Sequence, residues 1–461
     1  MGIVLKGGLV ASPSGAARMD LRIEGEQVHS LGFDLEREGD EVVDCGGMLI
    51  LPGGVDPHTH FDLPAGDFRT ADDFKSGTMA ALAGGTTTII DYATQFKGES
   101  LRQGIEEWHR LSRGKCHCDY GFHLAVTDWN DEVERELPQV VKGGIPSFKM
   151  YMAYKGLLQL DDGSIMRMME LLRDLGGVLC LHCENGDLVS SMGERLAREG
   201  RLSPRYHPLS RPSFVESEAV FRALTMAEAV QAPLYVVHVS SAKSMEHIRA
   251  FKERGNQVWA ETCVQYLTLD EGRYLLPDGD ASAYVCSPPL RSRGDVEALW
   301  MDLEGGYVDV VATDHCSFNL IGHKDRGLKD FRRIPNGLPG VEHRLSILYS
   351  EGVEGGRISL GTFVNVVSTS PAKIFGLYPR KGILLPGSDA DVVVFDPNSR
   401  WTVRASQQVQ RVDYTPYEGW SVTGRVVSVY LRGSRAYHRG VFEGQEPAGQ
   451  YLLRRGRKEE E

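Results

Sequence analysis

Short apolar and β-branched runs recur through the middle of the chain, at residues 48–55, 86–92, 120–126, 147–152, 178–182, 234–239, 258–262 and 308–313. Longer stretches with apolar positions every three or four residues lie between them, at 73–83, 165–175, 214–230 and 245–254. The first pattern reads as strands buried on both faces, the second as helices with one covered face. Eight strands alternating with helices between about residues 50 and 370 predict an α/β fold, a (β/α)8 TIM-like barrel. An open, doubly wound sheet is the competing architecture. It would place a glycine-rich phosphate loop after its first strand, and Val55-Asp-Pro-His-Thr-His60 is no such loop.

The two ends carry a different pattern. Short strand-like runs separated by turn residues occur at 3–6, 21–23, 27–31 and 41–44, and again at 391–395, 401–403, 424–431 and 436–438. Neither set alone supplies enough strands for a stable sheet. Together they predict one smaller β-sandwich beside the barrel. The chain then divides into 1–51 (first part of the sandwich), 52–377 (barrel) and 378–461 (second part of the sandwich and a tail). The basic stretch from Arg454 to Lys458 runs into three glutamates and reads as a solvated terminus.

Composition narrows the class. With 461 residues, 41% apolar and 25% charged, the chain can bury a barrel-sized core. Its 51 Lys+Arg against 63 Asp+Glu give a formal charge of −12, which supports neither nucleic-acid nor membrane partners. No apolar run approaches the roughly 18 residues of a membrane helix. The first ten residues lack a secretory pattern, and Lys6 stands where N-myristoylation wants Ser or Thr. Eight cysteines, several inside apolar strands, suit reduced thiols, so a cytoplasmic location is expected. Cys180-Leu-His-Cys183 and Cys116-His-Cys118 lack the second pair of a structural zinc site and read as ordinary core thiols.

Barrel enzymes carry their reactive groups where the strands end. Here strand one ends in His58-Thr-His60, strand five in His182, strand six in His238 and strand eight in Asp314. A spacing of two puts His58 and His60 on one side of a strand, within reach of a single ion. A lone histidine at a strand end is usually a hydrogen-bonded core residue. Four of them with an aspartate, on four strand ends of one barrel, point to metal, because crowded imidazoles need a cation to organise them. His123 and His315 fall outside this pattern and read as structural. His29, His109, His117, His207, His247, His323, His343 and His438 read as surface or loop residues.

Lys149, between Phe148 and Met150 in strand four, is the odd member. An ammonium cannot bind metal and is costly to bury unpaired. Neutral, it can take up carbon dioxide and become a carbamate, whose two oxygens could bridge two ions. The alternative is a lysine that reaches up to the barrel mouth. The residue's chemistry leaves both readings open.

His58-Thr-His60, Ser147-Phe-Lys-Met-Tyr-Met-Ala-Tyr-Lys155, His182-Cys-Glu-Asn185, His238-Val-Ser-Ser241, Cys286-Ser-Pro-Pro-Leu-Arg291, Ala312-Thr-Asp-His-Cys316 and Pro335-Asn-Gly-Leu-Pro339 stand in order along the chain. Together they resemble the D-hydantoinase/dihydropyrimidinase branch of the amidohydrolase superfamily, from about residue 2 to 455. The resemblance implies two divalent metal ions bridged by carboxylated Lys149. His58, His60 and Asp314 would hold one ion, His182 and His238 the other. Such donors suit zinc (Zn2+), though manganese or cobalt would fit as well.

The resemblance also implies hydrolytic opening of a cyclic amide to an N-carbamoyl amino acid. Activated water attacks a ring carbonyl, Asp314 carries the proton to the leaving nitrogen, and the Tyr154 hydroxyl stabilises the oxyanion. Ser287 and Asn336 are implied to read the ring's imide edge through backbone groups. The implied partner is a small cyclic imide or ureide, and the implied assembly a homotetramer.

Relatives of other activity fit less well. A dihydroorotase commonly carries an arginine two residues after the second histidine, where this chain has Asp62. Allantoinases are less similar around Ser147–Lys155. A non-catalytic dihydropyrimidinase-like scaffold protein loses ligand positions, and all six stand here. The loops over the ring substituent are implied at 63–68 and 151–160. There Leu63, Ala65, Tyr151 and Leu158 predict a roomy pocket for 5-substituted, aryl hydantoins over dihydrouracil, with the D isomer favoured by analogy.

Overall fold

The computed structural model describes residues 2–444 and 446–457. Eight parallel strands follow one another in chain order: Gly54–Thr59, Thr86–Gln95, Asp119–Val126, Ser147–Tyr151, Val178–His182, Leu234–Val236, Val258–Cys263 and Val310–Ala312. The first and last meet through the His60 amide on the His315 carbonyl (2.9 Å) and the His315 amide on the His58 carbonyl (3.3 Å). The Thr313 hydroxyl adds a bond to the Asp56 carboxylate at 2.6 Å. The barrel thus closes beside Asp314.

The expected helices form, three of them started by a side-chain cap. Phe74–Ala83 starts at Asp73, whose carboxylate accepts from the Ser76 amide while the Ser76 hydroxyl accepts from the Asp73 amide. Asp162–Leu175 starts at a capping Asp161 and stops at Gly176, which is left-handed (φ 74°). Ser213–Val230 and Ala242–Glu253 complete the four. Residues such as Phe74, Phe122, Phe148 and Leu181 pack in the main core, whereas Val55, Ile90, Cys180, Tyr235 and Phe375 form a second cluster.

The chain ends combine in one nine-stranded mixed sheet. Leu49–Pro52 is its hinge element, parallel to Ile3–Ser12 and antiparallel to Val392–Thr402. Leu5, Leu21, Ile50, Val392 and Tyr430 fill its core. The apolar run at 48–55 is therefore two strands, one in each sheet. They part at Gly53, where a Cβ would lie 2.0 Å from Thr87 Oγ1. Both halves are wholly buried, so hydropathy alone shows no break.

The tail also departs from expectation. Arg454 is buried, and its guanidinium donates to the carbonyls of Phe122 and Phe375. The Leu452 amide bonds the Tyr120 carbonyl at 2.8 Å and brings the tail against strand three. Backbone carbonyls there need donors, and the arginine supplies them. Lys458 and the glutamates after it lie outside the described residues. All eight cysteines are buried free thiols. Among the described residues, no helix is long and apolar enough to cross a membrane.

Candidate active site

A cavity of about 230 Å³ lies where the barrel strands end. Its lining includes all six candidate ligands: His58, His60, Lys149, His182, His238 and Asp314. The candidate substrate contacts Leu63, Tyr151, Tyr154, Leu158, Ser287 and Asn336 line it too, joined by Ala65 and Phe318. His58 Nε2 and His60 Nε2 lie 3.1 and 3.2 Å from the same Asp314 oxygen. Lys149 Nζ is 3.4 Å from His58 Nε2, and His182 Nδ1 is 2.9 Å from His238 Nε2.

The backbone explains how these side chains turn inward. The strand ladders stop at Val236 and Ala312, and the next residues leave the strand direction. His238 and Asp314 adopt positive φ angles of 40° and 49°, and Tyr154 one of 69°. Such a conformation is strained for a residue with a side chain and concentrates at functional sites. Gly337, in the Pro335-Asn-Gly loop, has φ 148°, and a Cβ there would sit 2.4 Å from the Cys316 carbonyl. That close approach lets the loop form the cavity wall beside Asp314.

Two carboxylates that the sequence reading did not single out hold the imidazoles from behind. Glu261 is fully buried; its Oε1 accepts from His58 Nδ1 at 2.6 Å and from the His238 amide at 2.9 Å. Its Oε2 accepts from the Tyr235 hydroxyl at 2.8 Å. The bond holds a proton on Nδ1 and turns Nε2 towards the cavity. Glu184 Oε2 lies 2.9 Å from His182 Nε2 and is itself paired with Arg211. The available signals were a carboxylate within an apolar strand and the Glu of His182-Cys-Glu.

Burial lowers His60 to about 4, with Asp314 offsetting it only in part. Burial also pushes His182 and His238 down. For His58 the same burial is outweighed by Glu261 and Asp314, which hold it up at about 9. Asp314 stays well below the carboxylate range: burial opposes this, but His58 and His60 prevail. Burial lowers Lys149, which has no carboxylate partner among the described residues and sits 4.6 Å from the Tyr92 ring centre. His60 Nδ1 and His238 Nδ1 are buried without partners. Four imidazoles and a carboxylate converging in this way make a donor set that fits divalent cations.

His123 bonds Ser147 Oγ (2.6 Å) and the Pro57 carbonyl (2.9 Å), and His315 bonds Asp72 (3.1 Å). His117, His207 and His343 are buried rather than on the surface. Of these, His207 bonds the Cys286 carbonyl at 2.8 Å, whereas His117 Nε2 and His343 Nδ1 are buried without partners. Asp62 accepts from the amide of Phe74, the first residue of its helix (3.2 Å).

Comparison with known proteins agrees with this architecture. Residues 49–436 match the amidohydrolase family. The D-hydantoinase of Geobacillus stearothermophilus is 44% identical over 452 residues, 98% of this chain and 96% of that one. The D-phenylhydantoinase of Escherichia coli O1:K1 is 40% identical over 464 residues, 99% of this chain and 98% of that one. The crystal structure of dihydropyrimidinase from Brevibacillus agri NCHU1002 superposes with a TM-score of 0.97 at 44% identity, covering 99% of each chain. The chain belongs to the amidohydrolase family, in its D-hydantoinase/dihydropyrimidinase branch, and is a cyclic amidohydrolase.

Proposed function

We propose that the protein opens the ring of 5-substituted, above all aryl, hydantoins and related dihydropyrimidines to give N-carbamoyl amino acids. His58, His60 and Asp314 would hold one zinc ion, His182 and His238 the other, and carboxylated Lys149 both. The convergence of these six side chains on one cavity floor carries the reading. When bound, the ion pair supplies Lewis acidity that polarises a ring carbonyl and brings the pKa of water towards neutrality.

The chain's own groups do the rest. Lys149, as the free amine, adds carbon dioxide and loses a proton, which places an anion among the imidazoles. Asp314, kept ionised by His58 and His60, takes a proton from the attacking water and delivers it to the leaving ring nitrogen. Burial keeps the Tyr154 phenol protonated, so it can donate to the oxyanion that forms. Ser287 and Asn336 hold the imide edge of the ring. Leu63, Ala65, Leu158 and Phe318 offer the ring substituent an apolar wall, and the branch favours the D isomer. The buried free thiols support a reducing, cytoplasmic setting. Exposed Leu209, Phe214 and Phe221 support burial between subunits of a homotetramer.

The test is steady-state turnover of zinc-loaded protein on 5-phenylhydantoin and dihydrouracil. Higher kcat/KM on phenylhydantoin is expected. A strong preference for dihydrouracil would overturn the substrate assignment, and no turnover of any cyclic imide or ureide would overturn the function.

A further inference from the structure

Ser287 and Asn336 stand in the cavity wall on two separate loops. Each follows a peptide whose carbonyl is gripped from behind by a buried side chain. His207 Nε2 donates to the Cys286 carbonyl at 2.8 Å, and Lys324 Nζ donates to the Pro335 carbonyl at 3.2 Å. Lys324 also donates to the Val285 carbonyl at 2.9 Å. That oxygen accepts in addition from the Gly337 amide at 3.1 Å. A single amine therefore ties the two loops together.

The placement is unusual for a lysine. Lys324 is fully buried and, among the described residues, pairs with no carboxylate. A methionine would fill similar space without the penalty of desolvating an amine. What the amine adds is donors. A carbonyl that accepts a hydrogen bond polarises its peptide and strengthens the N–H at the other end. The peptides concerned are 286–287 and 335–336, so the strengthened N–H groups belong to Ser287 and Asn336. Neither N–H donates to another group among the described residues. Ser287 Oγ and Asn336 Oδ1 are buried without partners as well. Burial pulls His207 down to about 3, so its ring is neutral and its one N–H is committed to the carbonyl. Burial draws Lys324 down to about 7, and its amine donates N–H bonds in either protonation state.

We propose that Lys324 and His207 are positioning residues for the substrate: buried donors that set the spacing of the Ser287 and Asn336 loops and the donor strength of their amides. The proposal rests on the cavity being a cyclic-imide site. It adds two residues that never touch the ring yet determine how tightly the ring is held.

The experiment measures KM and kcat on 5-phenylhydantoin for zinc-loaded Lys324→Met, His207→Leu and His207→Gln, with metal content and melting temperature recorded beside them. Lys324→Met and His207→Leu should raise KM about tenfold or more, the scale of a weakened buried hydrogen bond. Their kcat should change by less than about threefold, with metal content unchanged. His207→Gln, whose side-chain amide can reach the same carbonyl, should recover most of the lost affinity. A KM within about twofold of wild type in folded Lys324→Met and His207→Leu would refute the proposal. So would His207→Gln behaving like His207→Leu, or a loss of kcat that tracks lost metal. If Lys324→Met does not fold, the two His207 variants decide the matter. Wild-type inactivity on every cyclic imide and ureide would sink the functional reading itself, whereas an active wild type with unaltered variants sinks only this inference.

Discussion

Replacing Glu261 by glutamine removes one negative charge, and almost no volume, from beneath the candidate metal site. Glu261 serves three donors: His58 Nδ1 at 2.6 Å, the His238 amide at 2.9 Å and the Tyr235 hydroxyl at 2.8 Å. A glutamine carbonyl in place of Oε1 keeps the first two, and the Tyr235 hydroxyl can rotate to accept from the new amide. What disappears is the charge assistance to His58. Hydrogen bonds to charged groups contribute roughly 1.5–3 kcal/mol against about 1 for neutral ones. The loss of roughly 0.5–2 kcal/mol corresponds to about 2- to 30-fold weaker metal binding, overlapping the usual range for such outer partners. Alanine is a different perturbation. It leaves three buried donors unsatisfied at about 1–3 kcal/mol each, a sum that rivals the typical 5–15 kcal/mol of total stability. Glu261→Ala should therefore fail to accumulate as folded protein. The assay is zinc retention during dialysis against graded chelator, with melting temperature and kcat/KM at saturating zinc. A Glu261→Gln variant that holds zinc as tightly as wild type, or a Glu261→Ala variant that melts like wild type, would refute the reasoning.

Further outcomes follow from other parts of the site. Tyr154→Phe removes the oxyanion donor without touching a candidate ligand, so kcat should fall about 10²- to 10³-fold with metal content unchanged, as read by single-turnover kinetics and elemental analysis. Leu158→Phe narrows the apolar wall and should raise KM for phenylhydantoin more than for dihydrouracil; equal effects would place the substituent elsewhere. Lys324 is held at about 7 in the folded protein, while an unfolded lysine titrates at about 10.4. The unfolded chain binds more protons between those values, so this residue makes stability rise with pH through that window and fall as pH drops towards 7. Urea unfolding at pH 7 and at about pH 9 should show a stability gain in wild type that Lys324→Met largely lacks.

The barrel was legible because its strands are buried on both faces and its helices on one, which writes two different periods into the chain. The floor of the site was legible for a related reason: His182, His238 and Asp314 interrupt or end apolar runs where only a functional polar group is tolerated. The split at Gly53 was not, since adjoining strands in two sheets read as one apolar run when both are fully buried. Glu261 and Glu184 were missed because their roles depend on which imidazole lies across the barrel, which spacing along the chain does not encode. His207 and Lys324 were hidden by the same limit, as each satisfies a carbonyl on a distant loop. Arg454 shows the converse error, in which a charge run near the terminus conceals a guanidinium that caps backbone carbonyls in the interior.

The most direct test is a crystal structure of the protein equilibrated with zinc and bicarbonate, with anomalous data at the zinc edge. Two anomalous peaks should lie among His58, His60, His182, His238 and Asp314, with density for a carbamate continuous with Lys149 Nζ between them. A free Lys149 amine and no anomalous peak at these side chains would contradict the account at its root.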